Sequence, residues 1–227
     1  GLLPSDLPQL DTLSVPGICV PAHQVGGDYY DFIPLDKDRT LVVIADVSGK
    51  GIKAAFYMTL LKGYLQSVSE QQTSTSAIIK TANRLFYENR ARGTFITLLA
   101  GILDTASDTF EFARAGHDPL FLVQSQPSEC QKFTPRGFPL GMAKPDIFDK
   151  HLEIARISLQ KNQAIVLSTD GYPESRNTTN RQLGEEKLKQ IAIKHHTPEI
   201  GAHELLSAIH REVAAFVGKA SQHDDMT

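Results

Sequence analysis

The stretch Gly26–Gly51, GGDYYDFIPLDKDRTLVVIADVSGKG, decides the fold. It predicts a β-hairpin followed by the start of a helix. Tyr29–Leu35 is an aromatic and aliphatic run, and Leu41–Ala45 is a continuous apolar run typical of a buried strand. Asp36-Lys37-Asp38, between the two runs, has the composition of a turn.

The hairpin places one aspartate at each of its open ends. If the turn centres on Lys37, paired residue numbers sum to about 74, and Asp28 lies opposite Asp46. Directly paired residues have Cβ atoms roughly 4.5–5.5 Å apart, and two carboxylates that close repel each other. A shared proton or a bound cation relieves the repulsion, and oxygen ligands suit Mg²⁺ or Mn²⁺. The alternative is that both aspartates are ordinary turn or cap residues.

Composition restricts the classes of protein to which the chain can belong. With 227 residues and 41% hydrophobic content, one large domain over residues 1–227 can bury a core. A net charge of -3 and scattered basic residues give no reason to expect nucleic acid or an anionic membrane as a partner. Cys19 and Cys130 stand apart from other ligand residues, which is compatible with a reducing compartment, the cytoplasm. Because the chain lacks an initial Met and stops at Asp-Asp-Met-Thr, we expect it to be part of a longer protein.

Periodicity and turn residues predict the remaining elements. Residues 1–16 contain three prolines and are expected to be extended, and 17–25 could hold a short edge strand. Ser74 or Ser76 is expected to cap the second helix. The predicted helices are Ile52–Ser69, Ala77–Asn89, Leu183–His195 and Pro198–Val217. The predicted strands are Thr94–Leu103, Thr109–Ala115 and Leu120–Val123, forming an antiparallel meander, then Leu152–Leu159 and Ala164–Ser168, with loops over 124–150.

Two motifs allow both a functional and a structural interpretation. The Ser48–Gly51 loop could cradle an anion at a helix N-terminus, or its glycines could simply permit a sharp strand-to-helix turn. His117 could be a catalytic acid, or a turn histidine whose ring hydrogen-bonds the backbone. For each motif the structural interpretation is the more common one.

Acidic residues stand at predicted strand ends at four places: Asp28, Asp46, Asp170 and the pair Asp224/Asp225. The residues of five segments, and the order of these segments along the chain, resemble a known family. The SpoIIE/RsbU-like branch of the PPM (type 2C) metal-dependent protein serine/threonine phosphatases has motifs similar to five segments of this chain: GGDYYDF, VIADVSGKGIKAA, ARAGHDPL, LSTDG and DDMT. The resemblance runs from about Leu3 to the last residue.

The resemblance implies an α+β fold, a four-layer α/β/β/α sandwich of two antiparallel sheets flanked by helices. It implies two Mn²⁺ or Mg²⁺ ions with Asp46 bridging them, Asp28 and the Val47 carbonyl on one ion, and Asp170 and Asp224 on the other. Asp225 would lie behind Asp224 or replace it. The ions would activate a water that attacks phosphorus in line, without a protein nucleophile.

Two positions depart from the better-known type 2C enzymes. Ser48 and Lys50 stand where those enzymes have a histidine, which places the chain in the bacterial regulatory branch. No phosphate-binding arginine is matched near the N-terminus, since nothing basic precedes His23. Phosphate contact would then depend on the metals and Lys50, or on a partner.

The resemblance also implies biological partners. The substrate would be a phosphorylated protein, a STAS-fold anti-anti-sigma factor, and the domain would be the C-terminal output of a protein with an upstream sensor or receiver domain. No membrane contact by this domain is expected, and the sequence leaves monomer and homodimer both open. The alternative function is a catalytically weak partner-switch or scaffold module that retains the fold. A hydrolase of small phosphate esters is a third hypothesis.

Overall fold

The computed structural model describes residues 3–4 and 13–227. The predicted extended segment over residues 1–16 therefore falls largely outside the described residues. The strands are β1 Tyr29–Pro34, β2 Arg39–Val47, β3 Ile96–Asp104, β4 Thr109–Ala115, β5 Leu120–Gln124, β6 Glu129–Phe133, β7 Ile154–Ser158 and β8 Gln163–Val166. The helices are α1 Ile52–Ser69, α2 Thr75–Asn89, α3 Pro145–His151, α4 Glu185–His195 and α5 Ala202–Val217.

The predicted hairpin register is confirmed. β1 and β2 are antiparallel, and the pair Tyr29↔Ala45 has residue numbers that sum to 74. A backbone hydrogen bond from Val47 N to Gly27 O continues the same register beyond β1. Asp28 and Asp46 therefore face each other at the open end of the hairpin.

The strands form two antiparallel sheets. The larger sheet has the order β1-β2-β3-β4-β7, and the smaller one has the order β6-β5-β8. Because successive side chains of a strand point to opposite faces, the apolar run of β2 supplies two cores. Val43 and Ala45 pack under the first helices, whereas Val42 and Ile44 face the second sheet.

Helices cover the outer face of each sheet. α1, α2 and α3 pack on the larger sheet through residues that include Leu61, Ile79 and Phe148. α4 and α5 pack on the smaller sheet, where Ile191 and Val213 join strand residues in one cluster. The predicted four-layer α/β/β/α fold is thus confirmed.

Helix α1 has the predicted bounds, and only part of its apolar surface is buried. Its inward face comprises Ala54, Met58, Leu61, Leu65 and Val68. Ile52 and Phe56, in the first two turns, are 70% and 71% exposed. The first turns of α1 therefore present apolar side chains to solvent beside the glycine loop.

The cap of α2 settles the choice between two serines. The Ser74 side chain accepts a hydrogen bond from Ala77 N at 3.2 Å, which is typical of an N-cap. The helix therefore begins at Thr75, two residues earlier than the sequence predicted.

The sequence prediction was wrong in two places. Leu120–Gln124 does not extend the meander but enters the second sheet, between β6 and β8. The stretch 124–150, predicted to be loops, contains β6 and α3. β6 carries mostly exposed or half-buried side chains, so it has no apolar run to reveal it. Its pairing with β5 is what makes it a strand.

Two smaller expectations can also be compared with the structure. The edge strand predicted within 17–25 is reduced to a single antiparallel bridge between Val20 and Met226. Among the residues that the structure describes, no helix combines the length and the apolar character required to cross a bilayer.

Candidate metal centre

The candidate centre lies where several elements end. Asp28 directly precedes β1, and Asp46 is the penultimate residue of β2. Asp170 follows β8 in the turn that begins at Thr169, and Asp224 lies in the C-terminal segment that the Val20–Met226 bridge ties back to the fold. The fold thus brings together four acids that are up to 196 positions apart in the sequence.

Asp28 is a buried carboxyl group with a dedicated hydrogen-bond donor. It is 4% exposed, and the Thr169 hydroxyl donates to its Oδ2 at 2.7 Å. Burial, with a smaller contribution from the charge of Asp46, raises the pKa of Asp28 to about 8. Thr169 is itself fixed, since Thr227 N donates to its hydroxyl oxygen and Thr169 N donates to the Thr227 carbonyl.

Asp46 lies among three further carboxylates. Burial raises its pKa to about 7, and the charges of Asp170, Asp224 and Asp225 act in the same direction. The pKa of Asp170 is also raised, first by burial and then by the charge of Asp224. A cluster of carboxyl groups that mutually raise their pKa values is one that a divalent cation would stabilise.

The adjacent acids Asp224 and Asp225 differ in their surroundings. Asp225 is buried, and its two carboxylate oxygens accept hydrogen bonds from Ala22 N and Gly27 N, both at 2.8 Å. The side chain of Asp224 is 40% exposed, and its Oδ2 lies 2.7 Å from Nζ of Lys50. Asp225 therefore joins the C-terminal segment to the backbone at Ala22 and Gly27, whereas Asp224 lies near the other acids.

Two glycines allow this close approach of segments. A Cβ atom on Gly171 would overlap the carbonyl oxygen of Asp225, and one on Gly26 would overlap the Asp225 carboxylate. Neither glycine has a positive φ, so the requirement at both positions is space rather than backbone conformation.

The chemistry of these donors fits Mg²⁺ or Mn²⁺, which prefer carboxylate and carbonyl oxygens. Burial first, and neighbouring carboxylates second, raise the pKa values of Asp28, Asp46 and Asp170. Within residues 3–4 and 13–227, however, no three His, Cys, Asp or Glu side chains stand close enough together to hold an ion as placed. The acids fit an ion by the chemistry of their oxygens, and ligation would require side-chain adjustment. Asp28, Asp46, Val47, Asp170 and Asp224 stay predicted ligands.

The glycine loop that leads into α1 has the backbone expected of a sharp turn. Gly49 and Gly51 have φ values of 96° and 72°, in the region that favours glycine. A Cβ at either position would meet no atom within 4 Å, so conformation rather than space requires them. The structural interpretation of this loop is confirmed, and the loop directs Lys50 toward Asp224.

His117 occupies a structural position. It is 3% exposed, its Nδ1 lies 2.9 Å from the Thr97 hydroxyl, and its Nε2 is buried without a partner among the described residues. Burial, with a smaller contribution from Arg114, lowers its pKa to about 3. The ring is therefore neutral near pH 7 and carries no imidazolium proton to donate.

The buried neutral His117 predicts a pH dependence of stability. Above about pH 6.5 the ring is neutral in the folded and unfolded states alike. As the pH falls toward 3, only the unfolded state takes up the proton, so folding stability is lost. We expect wild type to lose about 2 kcal/mol relative to His117→Gln between pH 6.5 and pH 5. Urea unfolding of both proteins across this range measures it, and parallel curves would contradict the burial of a neutral ring.

Neither cysteine is suited to be a nucleophile. Burial raises the pKa of the Cys19 thiol and of the Cys130 thiol to about 11. Since the thiolate is the reactive form, both side chains are inert near neutral pH.

Sequence reasoning missed one residue that organises the centre. Thr169 belongs to the LSTDG motif and was given no role, although its hydroxyl donates to Asp28. Its position next to Asp170 was the available signal. Asp225, which the resemblance places behind Asp224 or in its place, accepts hydrogen bonds from two backbone N–H groups.

Known proteins resemble this chain in sequence and in fold. The family model of stage II sporulation protein E (SpoIIE) matches residues 36–227. Phosphoserine phosphatase RsbU of Bacillus subtilis (strain 168) is 34% identical over 197 residues, which cover 86% of this chain and 56% of RsbU. The chain therefore spans about half the length of that relative.

Two solved structures share the fold at low sequence identity. The SiaA-PP2C domain of Pseudomonas aeruginosa has a TM-score of 0.79 and 19% identity, covering 92% of this chain and 82% of that one. RsbX, crystallised in complex with magnesium, has a TM-score of 0.62 and 16% identity, covering 92% of this chain and 89% of that one. The match of the family model over most of the chain, together with the identity to RsbU, shows that this chain belongs to the SpoIIE family.

Proposed function

We propose that this domain is a Mn²⁺- or Mg²⁺-dependent protein phosphatase that hydrolyses phosphoserine and phosphothreonine. The observation that carries the proposal is the convergence of Asp28, Asp46 and Asp170, whose pKa values are raised by burial and by neighbouring carboxylates. The name of RsbU, a phosphoserine phosphatase, supports the reaction class. The magnesium complex of RsbX supports a divalent cation in this fold.

In this proposal Asp46, Asp28 and the Val47 carbonyl would hold one ion, and Asp46, Asp170 and Asp224 would hold the other. When bound, two such ions supply an activated water molecule and neutralise charge on the phosphoryl oxygens. The chain's own residues position these ligands. The Thr169 hydroxyl orients Asp28, and the Asp225 carboxylate fixes the backbone that carries Asp224.

No side chain is required as a nucleophile or as an imidazolium acid. The thiols of Cys19 and Cys130 are protonated near neutral pH, and His117 is buried and neutral. Lys50 supplies positive charge beside the acidic cluster. These features support direct attack by water on phosphorus rather than a covalent enzyme intermediate.

The physiological substrate in this proposal is a phosphorylated STAS-fold anti-anti-sigma factor, and the domain is the C-terminal output of a longer signalling protein. The support is the motif resemblance and the family, together with the fact that the matched region is 56% of RsbU. An upstream sensor or receiver domain would then control the activity. The alternative is a partner-switch module with weak catalysis. Two observations favour it: Asp224 pairs with Lys50, and no three ligand side chains among the described residues are placed to hold an ion.

A phosphoserine-peptide assay tests the proposed function. We expect phosphate release with Mn²⁺ or Mg²⁺, loss of release in chelator, and recovery when metal is added back. Excess p-nitrophenyl phosphate should compete poorly if a phosphoprotein is the substrate, and well if the domain hydrolyses small esters. Turnover that persists in chelator would overturn the metal-dependent mechanism. Binding of the STAS-fold partner that is equally tight with metal and with chelator, without turnover, would favour the partner-switch module.

A further inference from the structure

Lys50 is a cation in direct contact with one of the candidate ligands, Asp224. The glycine loop projects it across the centre, where Nζ lies 2.7 Å from Oδ2 of Asp224 and also donates to the carbonyl oxygen of His223. Both acceptors belong to the C-terminal segment, 173 and 174 positions away in the sequence. The lysine thus bridges the loop that follows Asp46 and the segment that carries Asp224.

The ammonium group acts on more than its direct partner. Its charge opposes the rise in pKa at Asp46 and at Asp170, while Asp224, Asp225 and Asp170 in turn raise the pKa of Lys50. It therefore lies within the electrostatic reach of the acids that the two ions would neutralise.

The position of Nζ opposes ligation of an ion by Asp224. The ammonium group occupies one lone pair of Oδ2 at 2.7 Å, and Asp225 N donates to Oδ1 at 3.1 Å, so an approaching ion meets a carboxylate with fewer free lone pairs. The repulsion between the ammonium group and a divalent ion at the same carboxylate adds to this effect. Both side chains are nearly half exposed, so the pair can open without unfolding the domain.

We propose that Lys50 is an internal cation that competes with a divalent ion for the carboxylate of Asp224. This inference rests on the proposed function, since it requires Asp224 to be a metal ligand. Lys50 is then a positioning residue that sets the metal concentration at which the centre fills.

A simpler explanation would be that any nearby positive charge weakens metal binding by repulsion. The two explanations differ in whether the effect of Lys50 passes through Asp224. Competition for Asp224 disappears when that carboxylate is removed, whereas repulsion at a distance remains. A double-mutant cycle separates them.

The experiment measures Mn²⁺ binding by isothermal titration calorimetry at fixed ionic strength. The proteins are wild type, Lys50→Met, Asp224→Asn and the double variant, with Lys53→Met as a control that removes an exposed lysine from the first turn of α1. Circular dichroism confirms that each variant is folded. We expect Lys50→Met to bind Mn²⁺ about two- to fivefold tighter than wild type, the range expected for a partly exposed ion pair.

The gain should vanish in the Asp224→Asn background, and Lys53→Met should leave the Kd within about 1.5-fold of wild type, as expected for an unpaired surface charge. An unchanged or weaker Kd in Lys50→Met would overturn the proposal. So would a gain that persists without Asp224, or an equal gain in Lys53→Met. If wild type binds no Mn²⁺ at all, the proposed function fails along with this inference, whereas binding that is insensitive to Lys50 removes the inference alone.

Discussion

Replacing Asp46 by Asn is expected to reduce phosphopeptide hydrolysis by more than about 100-fold. Asp46 adjoins Asp170 and Asp224, and it is the proposed bridge between the two ions. Loss of a residue that merely supports a metal ligand costs about 10–100-fold, so loss of the bridging ligand should cost more. Initial rates on a phosphoserine peptide at saturating Mn²⁺ measure the effect.

The same substitution should stabilise the protein in chelator. Burial and the neighbouring carboxylates raise the pKa of Asp46, so its ionised form is unfavourable in the metal-free fold. An amide removes that charge, and we expect the free energy of unfolding at pH 8 to rise by at least about 1 kcal/mol. Asp38→Asn, at the turn of the same hairpin, is the matched control and should change neither property. A loss of activity accompanied by a loss of stability in chelator would show that Asp46 is structural instead.

Replacing Asp225 by Ala is expected to lower the free energy of unfolding by about 2–4 kcal/mol. The substitution leaves the amides of Ala22 and Gly27 without acceptors, and each unsatisfied buried donor costs roughly 1–3 kcal/mol. Because the same segment carries Asp224, the affinity for Mn²⁺ should fall as well. Urea unfolding and calorimetric titration measure the two effects.

Asp225→Asn provides the graded control. Its side chain keeps one carbonyl oxygen, so one of the two amides retains an acceptor and the loss of stability should be intermediate. If Asp225→Asn instead abolished Mn²⁺ binding while leaving stability unchanged, Asp225 rather than Asp224 would be the ligand.

The parts of the fold that the sequence predicted are those determined by local pattern. The turn at Asp36–Asp38 sets the register of its hairpin, and so the sequence alone places Asp28 opposite Asp46. The bounds of α1 followed from the glycines before it and the apolar residues within it. Local patterns of apolar and polar residues predict such elements without information about the rest of the chain.

The remaining features depend on partners that are distant in sequence. β5 enters the second sheet because it pairs with β6 and β8, and nothing within Leu120–Gln124 specifies that choice. The acids of the candidate centre could be proposed from their positions at strand ends, and the preference for Asp224 over Asp225 as a ligand came from the family resemblance. The hydrogen bonds that distinguish the two could not be predicted, because the amides of Ala22 and Gly27 lie about 200 positions earlier.

The union of distant segments at Asp225 also bears on biosynthesis. Two hydrogen bonds join the amides of Ala22 and Gly27 to Asp225, and a β-bridge joins Val20 to Met226. The ribosome adds Asp225 and Met226 about 200 residues after their partners. A nascent chain that lacks residues 224–227 has neither Asp224 nor the carboxylate that anchors it. The candidate centre is therefore complete only after residues 224–227 have been synthesised.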